Sequence, residues 1–277
     1  MPSFSLLPGR ARDIGGFSVR RTLPSVQHRL IGPFIFWDHM GPVRLEPGHG
    51  MDVRPHPHIN LATVTYLFEG EIVHKDSLGS NQSIRPGDVN WMTAGRGIVH
   101  SEMPEQSEGR MRGFQLWLNL PATAKMSAPA YQEFGPERIP LVSPTRGVHV
   151  KVIAGQVGPV TGPVVQPATD PTYLDVELDA QATFVQALPA GHAAFVYVFE
   201  GELTLGAGAT ATLVPRHCLA VLGAGTQVRL QAGPGTARAI LVAGRPLREP
   251  VARYGPFVMN TEEQLRQAFQ DYQNGRF

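Results

Sequence analysis

Short blocks of apolar residues, most of them the length of a β-strand, follow one another along nearly the whole chain. Leu61–Phe68 and Val89–Met92 are mostly apolar or β-branched, and Phe114–Leu120 alternates apolar with other residues. Phe34–Trp37 is a short aromatic block bounded by a proline and an aspartate. Blocks of about four to eight such residues, separated by turns rich in glycine and proline, are typical of β-strands. The pattern therefore predicts an all-β protein.

Helical periodicity is convincing only at the end of the chain, from Thr261 to Phe277. Thr261 and Gln264 have the spacing of a capping box, in which two side chains bind the free amides of a helix start. Asn274 and Gly275 are a typical stop signal. One apolar face, at i, i+4 and i+7, is formed by Leu265, Phe269 and Tyr272. We predict a short C-terminal helix that covers sheet surface.

A six-residue segment occurs twice in the chain. Tyr66–Glu71 (YLFEGE) recurs as Tyr197–Glu202 (YVFEGE), and Thr93-Ala94-Gly95 has a counterpart in Gly223-Ala224-Gly225. Because the matching segments appear in the same order, an internal duplication explains them better than chance does. The sequence thus predicts two related β units.

The boundary between the two predicted units falls in a proline-rich stretch. Residues 121–147 show no clear period and are predicted to form an irregular connection, and a new β unit begins near His149. We therefore expect an N-terminal domain over residues 1–125 and a C-terminal domain over residues 126–277. The second domain ends in the predicted helix.

Composition narrows the functional classes. Hydrophobic residues make up 42% of the chain and charged residues 17%, which suits a packed core. The formal charge is +1 without a basic block, so direct nucleic-acid binding is not expected. The single cysteine, Cys218, cannot form an internal disulfide. We find neither a signal peptide nor an apolar run of about 18 residues. A cytoplasmic protein without a membrane span is expected.

The most informative residues are two pairs spaced i, i+2: His56 with His58, and His100 with Glu102. Alternate side chains of a strand leave from the same face, so each pair presents two donors to one side of a sheet. Pro57 cannot donate a ladder hydrogen bond, which places the first pair at an edge or a barrel mouth. Two such strands facing each other would form a pocket with four metal ligands.

Three imidazole nitrogens and one carboxylate, without a thiolate, suit iron, copper, nickel, manganese or zinc. Neutral imidazoles and one carboxylate around a divalent ion leave a net charge of +1, which favours an anionic oxygen ligand such as an enolate or phenolate. A redox-active metal could also bind dioxygen. Single histidines are more often surface or hydrogen-bonded residues, and we apply this to His28, His39, His49, His74, His149, His192 and His217.

The spacing of these residues also resembles a known family. Gly50-x₅-His56-x-His58, and Gly87-x₅-Thr93-x-Gly95 followed by His100, resemble the two motifs of the cupin superfamily. More narrowly, the chain resembles the pirin family. The supporting segments are Phe17–Pro24, Pro55–His58, Tyr66–Gly70, Thr93–Glu102, Gln115–Trp117 and Asp271–Phe277.

The resemblance implies a bicupin, two stacked jelly-roll β-barrels with a metal only in the N-terminal one. Iron is the metal associated with the family, and the ligand set carries over onto His56, His58, His100 and Glu102. The second half departs from the motif, since aligning Tyr197 with Tyr66 puts Ala187 and Pro189 opposite His56 and His58. No histidine follows Gly225 where His100 would recur.

The activity implied by the resemblance is that of a quercetin 2,3-dioxygenase. A flavonol would bind the metal through its 3-hydroxyl, with Glu102 as general base, and react with O₂ to release carbon monoxide. Candidate cavity residues are Phe34, Phe36 and Trp91, although a core role is favoured for each.

Two alternatives stay open. Eukaryotic pirins imply a nuclear co-regulator in which the oxidation state of iron changes the binding of protein partners, and the site could instead be structural. A monomer is mildly preferred.

Overall fold

A computed structural model describes residues 4–14, 17–45, 55–104 and 109–276 of the chain. Strands dominate these residues, and the single α-helix among them, Glu262–Gln273 (α1), lies near the C-terminus. The predicted all-β class with a C-terminal helix is therefore confirmed. In this described part of the chain, no helix is long and apolar enough to cross a membrane.

The strands, in chain order, are Ser5–Pro8 (β1), Arg10–Ile14 (β2), Phe17–Leu23 (β3), Phe34–Leu45 (β4), His56–His58 (β5), Leu61–Glu69 (β6), Ile72–Asp76 (β7), Asn81–Ile84 (β8), Val89–Thr93 (β9), Ile98–Pro104 (β10), Gly109–Asn119 (β11), Ala130–Phe134 (β12), Leu141–Val142 (β13), Val148–Ala154 (β14), Gln156–Val157 (β15), Val160–Thr161 (β16), Thr172–Leu178 (β17), Thr183–Ala187 (β18), Ala193–Glu200 (β19), Leu203–Leu205 (β20), Thr212–Val214 (β21), Cys218–Val221 (β22), Gln227–Ala232 (β23), Ala237–Gly244 (β24), Ala252–Tyr254 (β25) and Phe257–Met259 (β26). Short 3₁₀ turns lie at Ala122–Ala124, Pro136–Arg138 and Gly208–Thr210.

The chain forms two compact units, each assembled from three segments. The N-terminal unit contains Ala11–Leu23, Phe34–Pro136 and the chain from Leu247 onward. The C-terminal unit contains the chain up to Arg10, Pro24–Pro33 and Glu137–Pro246. Each unit therefore takes most of its residues from one half of the sequence and smaller pieces from elsewhere.

Both units have the same arrangement of strands. The N-terminal unit has a seven-stranded sheet, β12-β9-β6-β11-β4-β3-β2, and a four-stranded sheet, β5-β10-β7-β8. The C-terminal unit has a seven-stranded sheet, β1-β22-β19-β24-β17-β14-β13, and a four-stranded sheet, β18-β23-β20-β21. The repeated YLFEGE and YVFEGE segments end β6 and β19, which hold the same place in the two orders. The predicted duplication is confirmed.

The units differ from the predicted division at residue 125. Ala130–Phe134, predicted to be irregular, is a strand that pairs with β9, and Ser5–Pro8 fills the corresponding place beside β22. An exposed sheet edge leaves backbone hydrogen-bonding groups unpaired, so a strand there satisfies them. β12 follows residue 125 but completes the N-terminal unit, and β1 precedes it but completes the C-terminal unit. Sequence composition could not reveal this pairing.

The C-terminal helix belongs to the N-terminal unit. Thr261 and Gln264 form the predicted capping box, and Asn274 is the C-cap of α1. Its face packs against β25 and β26, where Phe257 stacks on Phe269 with 4.0 Å between ring centroids. Ile59 lies in the same buried cluster. The helix thus closes the unit that contains both histidine pairs.

Lys125 fixes the C-terminal segment to the rest of the N-terminal unit. Its ammonium group is buried and donates to the Asn60 carbonyl at 3.2 Å, the Asn119 Oδ1 at 2.6 Å and the Val258 carbonyl at 2.9 Å. All three acceptors are uncharged. Burial therefore lowers the pKa of Lys125 from 10.5 to about 8, against a smaller opposing effect of Glu249.

Because of this lowered pKa, the free energy of unfolding is expected to change with pH in the alkaline range. Above pH 8 the folded protein loses the Lys125 proton while the unfolded chain keeps it to about pH 10.5, so stability from this group rises between these values. We expect the free energy of unfolding of the wild type, relative to Lys125→Met, to rise by up to ~3 kcal/mol over this interval. Urea titrations at several pH values measure it. Lys75→Met, at an exposed site, should show no such trend.

Candidate metal centre

Strand pairing brings the two predicted ligand pairs together. β10 lies between β5 and β7 in the four-stranded sheet. On one side His100 is opposite His56 and Ile98 is opposite His58. On the other side Glu102 is opposite His74. The i, i+2 spacing therefore acts as predicted, because alternate residues of adjacent strands face the same side of the sheet.

The turn before β10 sets the position of His100. Gly95 has φ +53° and lies against the backbone of Ser127, where a Cβ atom would clash with the carbonyl oxygen. Glycine is the residue that tolerates both the left-handed conformation and the close approach. This turn lets the chain leave β9 and enter β10 with His100 directed toward β5.

The three histidines form a compact cluster. Ring centroids are 4.9 Å apart for His56 and His58, 4.6 Å for His56 and His100, and 4.7 Å for His58 and His100. His56 Nε2 is 3.1 Å from His58 Nε2. His58 and His100 are each only 1% exposed. Nitrogen atoms of all three rings can reach one metal ion.

The electrostatics of the cluster suit a cation. Burial lowers the pKa of His58 and of His100 well below the usual value, and the neighbouring histidines lower both further. Neutral imidazoles have the lone pairs that metals bind. His58 Nδ1 and His100 Nε2 are buried without a hydrogen-bond partner. Because such buried atoms are normally satisfied, these residues fit a metal ion well.

Glu102 lies beside this cluster and is held on both sides. A second group of residues that could hold a metal consists of Glu102, His74 and His100. Thr65 Oγ1 donates to Oε1 at 2.9 Å, and Gln115 Nε2 donates to Oε2 at 2.8 Å. His100 is common to both groups. His56, His58 and His100 therefore form one group of possible ligands, and Glu102 joins His100 in the second group rather than the group of His56 and His58.

His74 is the residue that sequence reasoning missed. Its Nδ1 lies 3.5 Å from His100 Nδ1, and its Nε2 lies 3.1 Å from the Tyr131 hydroxyl and 3.5 Å from Asp76. Tyr131 also donates a hydrogen bond to Asp76. Burial raises the pKa of Asp76, but hydrogen bonds from Tyr131 and Ser80 outweigh it and lower the pKa to about 2. An ionised carboxylate therefore orients the imidazole behind His100.

A signal for His74 was present in its strand. His74 and Ile72 alternate with half-buried or exposed residues, so His74 shares the interior face of β7. Tyr131 could not be found in this way, because it comes from the segment predicted to be irregular.

A cavity of about 460 Å³ in the N-terminal unit reaches His56 and Glu102. Phe36 and Trp117 line it as a stacked pair with 4.2 Å between centroids, and the rings of Trp117 and His58 are nearly perpendicular with 4.9 Å between centroids. Phe36 is therefore a cavity residue as well as a packing residue. Phe34 and Trp91 are fully buried and do not line this cavity, in agreement with the favoured core role.

The remaining histidines of the sequence are not part of this cluster where the structure describes them. His28, His39, His149, His192 and His217 belong to neither group of possible metal ligands. His49 lies outside the described residues.

In the C-terminal unit the pairing shifts the predicted counterparts by one residue. β20 pairs with β23 as β7 pairs with β10. In this register the structural counterparts of His56 and His58 are Gln186 and Leu188, rather than Ala187 and Pro189. A one-residue shift exchanges the two faces of a strand. The counterparts of His100 and Glu102 are Val228 and Leu230. These positions hold no imidazole or carboxylate, and most of them join the apolar core.

The two units share one strand order, and the N-terminal unit contains a cluster of histidines and a carboxylate. These features define a bicupin with a candidate metal centre. Family models give the narrower class. The pirin model matches residues 16–118, and the model of the pirin C-terminal cupin domain matches residues 173–277. The chain belongs to the pirin family.

Individual relatives cover the whole chain. A pirin-like protein of Caulobacter vibrioides is 43% identical over 100% of this chain and 99% of its own length. Human pirin is 40% identical over 99% of this chain and 92% of its own length. The crystal structure of a quercetin 2,3-dioxygenase from Acinetobacter baumannii superposes with a TM-score of 0.92 at 31% identity, covering 100% of this chain and 98% of that one.

Proposed function

We propose that this protein is a metal-dependent dioxygenase that opens the heterocyclic ring of a flavonol such as quercetin. One O₂ is consumed, and the products are a depside and one carbon monoxide. The observation that supports this most is the aromatic-walled cavity that ends at His56 and Glu102. The likeness to the Acinetobacter quercetin 2,3-dioxygenase supports the same substrate class.

The proposed metal ligands are His56, His58, His100 and Glu102, and the proposed metal is Fe(2+). Copper, nickel, manganese and zinc also suit this donor set. A bound ion of this kind acts as a Lewis acid toward a substrate hydroxyl and, when redox active, supports chemistry with O₂. The orphaned nitrogens of His58 and His100 favour such a site.

Glu102 is the proposed general base for the substrate hydroxyl. Each carboxylate oxygen accepts one hydrogen bond, from Thr65 or from Gln115, which leaves a further lone pair on each oxygen. The carboxylate can therefore accept a proton without losing its supports. Phe36 and Trp117 would position the flat substrate beside it and exclude water.

The test of this proposal is a metal-reconstitution assay. Chelated protein is reloaded with iron, copper, nickel, manganese or zinc, and loss of the quercetin absorbance band in air is followed. At least one metal should restore turnover, with iron expected to be the most effective. Absence of metal-dependent loss with every ion would overturn the dioxygenase assignment.

The redox-regulator alternative makes a different prediction. A co-regulator would bind different protein partners in its ferrous and ferric states, which a pull-down with both forms would reveal. Such a role does not require a cavity with a stacked aromatic wall beside the ligands. The cavity therefore favours the enzymatic proposal.

Gln115 is expected to act through Glu102. It donates to Oε2 of Glu102 and accepts a hydrogen bond from Trp117 Nε1 at 3.2 Å, so it links the cavity wall to the carboxylate. Gln115→Met keeps the size and removes both hydrogen bonds. We expect turnover to fall by about 10- to 100-fold, with metal content retained. Gln231→Met, in the C-terminal unit, is the matched control. Unchanged turnover in Gln115→Met would contradict this role.

A further inference from the structure

Arg253 brings an unbalanced positive charge to the cavity. It lies on β25, in the C-terminal segment that folds into the N-terminal unit, and it lines the cavity together with His56 and Glu102. Its guanidinium carbon is 5.2 Å from the centroid of Trp117. The Trp117 ring in turn lies nearly perpendicular to the His58 ring, with 4.9 Å between centroids. One aromatic side chain therefore separates Arg253 from the candidate metal ligands.

The hydrogen bonds of Arg253 leave most of its donors unused. Nε donates to the Gly255 carbonyl at 3.2 Å, and Nη1 donates to the Ile35 carbonyl at 2.7 Å. A guanidinium has five N–H groups. The other three, on Nη1 and Nη2, have no acceptor among the residues that the structure describes. These groups form the end of the fork that binds a carboxylate with two parallel hydrogen bonds.

The neighbouring arginine differs. Arg21 is bound by Asp38 through two hydrogen bonds of 2.8 and 2.7 Å, so its charge is balanced within the cavity wall. No carboxylate pairs with Arg253 in the described part of the chain. Burial lowers the pKa of Arg253 to about 10, and the charge of Arg21 contributes, yet the side chain stays charged at neutral pH. A partly buried cation without a counter-ion is costly, and an anionic ligand would relieve that cost.

We propose that Arg253 is the recognition site for a carboxylate on the substrate. Among hydroxylated aromatic substrates, those that also carry a carboxylate would bind more tightly than an uncharged flavonol such as quercetin, with the hydroxyl at the metal end, the carboxylate at Arg253 and the ring along Phe36 and Trp117. This inference rests on the proposed function only for the hydroxyl end. The carboxylate site stands on the cavity and on the unused donors of Arg253.

Binding measurements on the full-length protein test the proposal without turnover. The probes are 2-naphthoate and its neutral analogue 2-naphthamide, titrated by calorimetry into protein as purified and after chelation. The variants are Arg253→Gln, which removes the charge, and Arg253→Lys, which keeps the charge without the fork. Arg266→Gln, at an exposed position of α1, is the control. Thermal unfolding of each variant establishes that it is folded.

The wild type should bind 2-naphthoate about 10- to 100-fold more tightly than 2-naphthamide, before and after chelation. Arg253→Gln should remove this preference, Arg253→Lys should reduce it, and Arg266→Gln should keep it. Equal affinities in the wild type would overturn the proposal. A preference that disappears on chelation, or persists in Arg253→Gln, would place the carboxylate elsewhere and would also overturn it. Failure of quercetin turnover alongside the expected preference would count against the dioxygenase assignment alone.

Discussion

Replacing His100 with alanine is expected to abolish both metal binding and flavonol turnover. His100 is the residue common to the two groups of possible ligands, and its Nε2 is buried without a protein partner. Its Nδ1 faces His74, which Tyr131 and Asp76 hold in place. Loss of this imidazole removes a proposed metal ligand. It also removes the contact through which His74 orients that ligand. Metal affinity should fall by at least about 100-fold, with loss of turnover in proportion.

Elemental analysis after gel filtration, together with the quercetin assay, measures the effect. The control is His149→Ala, which removes an exposed histidine of the C-terminal unit. It should retain wild-type metal content and rate. A His100→Ala protein that keeps a full complement of metal and normal turnover would refute the assigned ligand set.

The second large effect is expected from Glu102→Gln. The amide has nearly the shape of the carboxylate but cannot act as a base, and Gln115 would then face a second amide instead of an anion. Turnover should fall by about 10²- to 10⁴-fold. Metal content should fall less than in His100→Ala, because the three imidazoles are unchanged.

A comparison of kcat and metal content separates the two roles of Glu102. If the residue is only a ligand, turnover per bound metal will equal that of the wild type. If it is also the base, turnover per bound metal will be low. Glu137→Gln, at an exposed site, controls for the loss of one negative charge. Full activity in Glu102→Gln would contradict both roles.

Local patterns were sufficient to predict that His56 with His58, and His100 with Glu102, lie on strands with alternating side chains. The strands at His56–His58 and Ile98–Pro104 have the geometry that i, i+2 spacing requires, because alternation of side chains is a property of the single strand. The capping box of α1 is local in the same sense. The duplication was visible because the repeated segment kept its sequence as well as its place in the sheet.

Pairing between distant segments was not available from local patterns. His74 reaches the cluster because β7 pairs with β10, and Tyr131 arrives from a strand that supplies a sheet edge. Arg253 comes from Ala252–Tyr254, a strand that precedes the predicted helix and for which the sequence pattern suggested no role. Two other features are also long-range. They are the placing of β1 and β12 at sheet edges across the predicted boundary, and the one-residue shift of the counterparts in the C-terminal unit. Both are set by hydrogen bonding and core packing.

One measurement tests the central claim most directly: release of carbon monoxide from quercetin by the iron-loaded protein in air. The proposed reaction requires one carbon monoxide for each quercetin and each O₂ consumed, and no release by chelated protein or by His100→Ala. Protein that leaves quercetin intact with iron and with every other reconstituted metal, or that consumes it without releasing carbon monoxide, would contradict the proposed function.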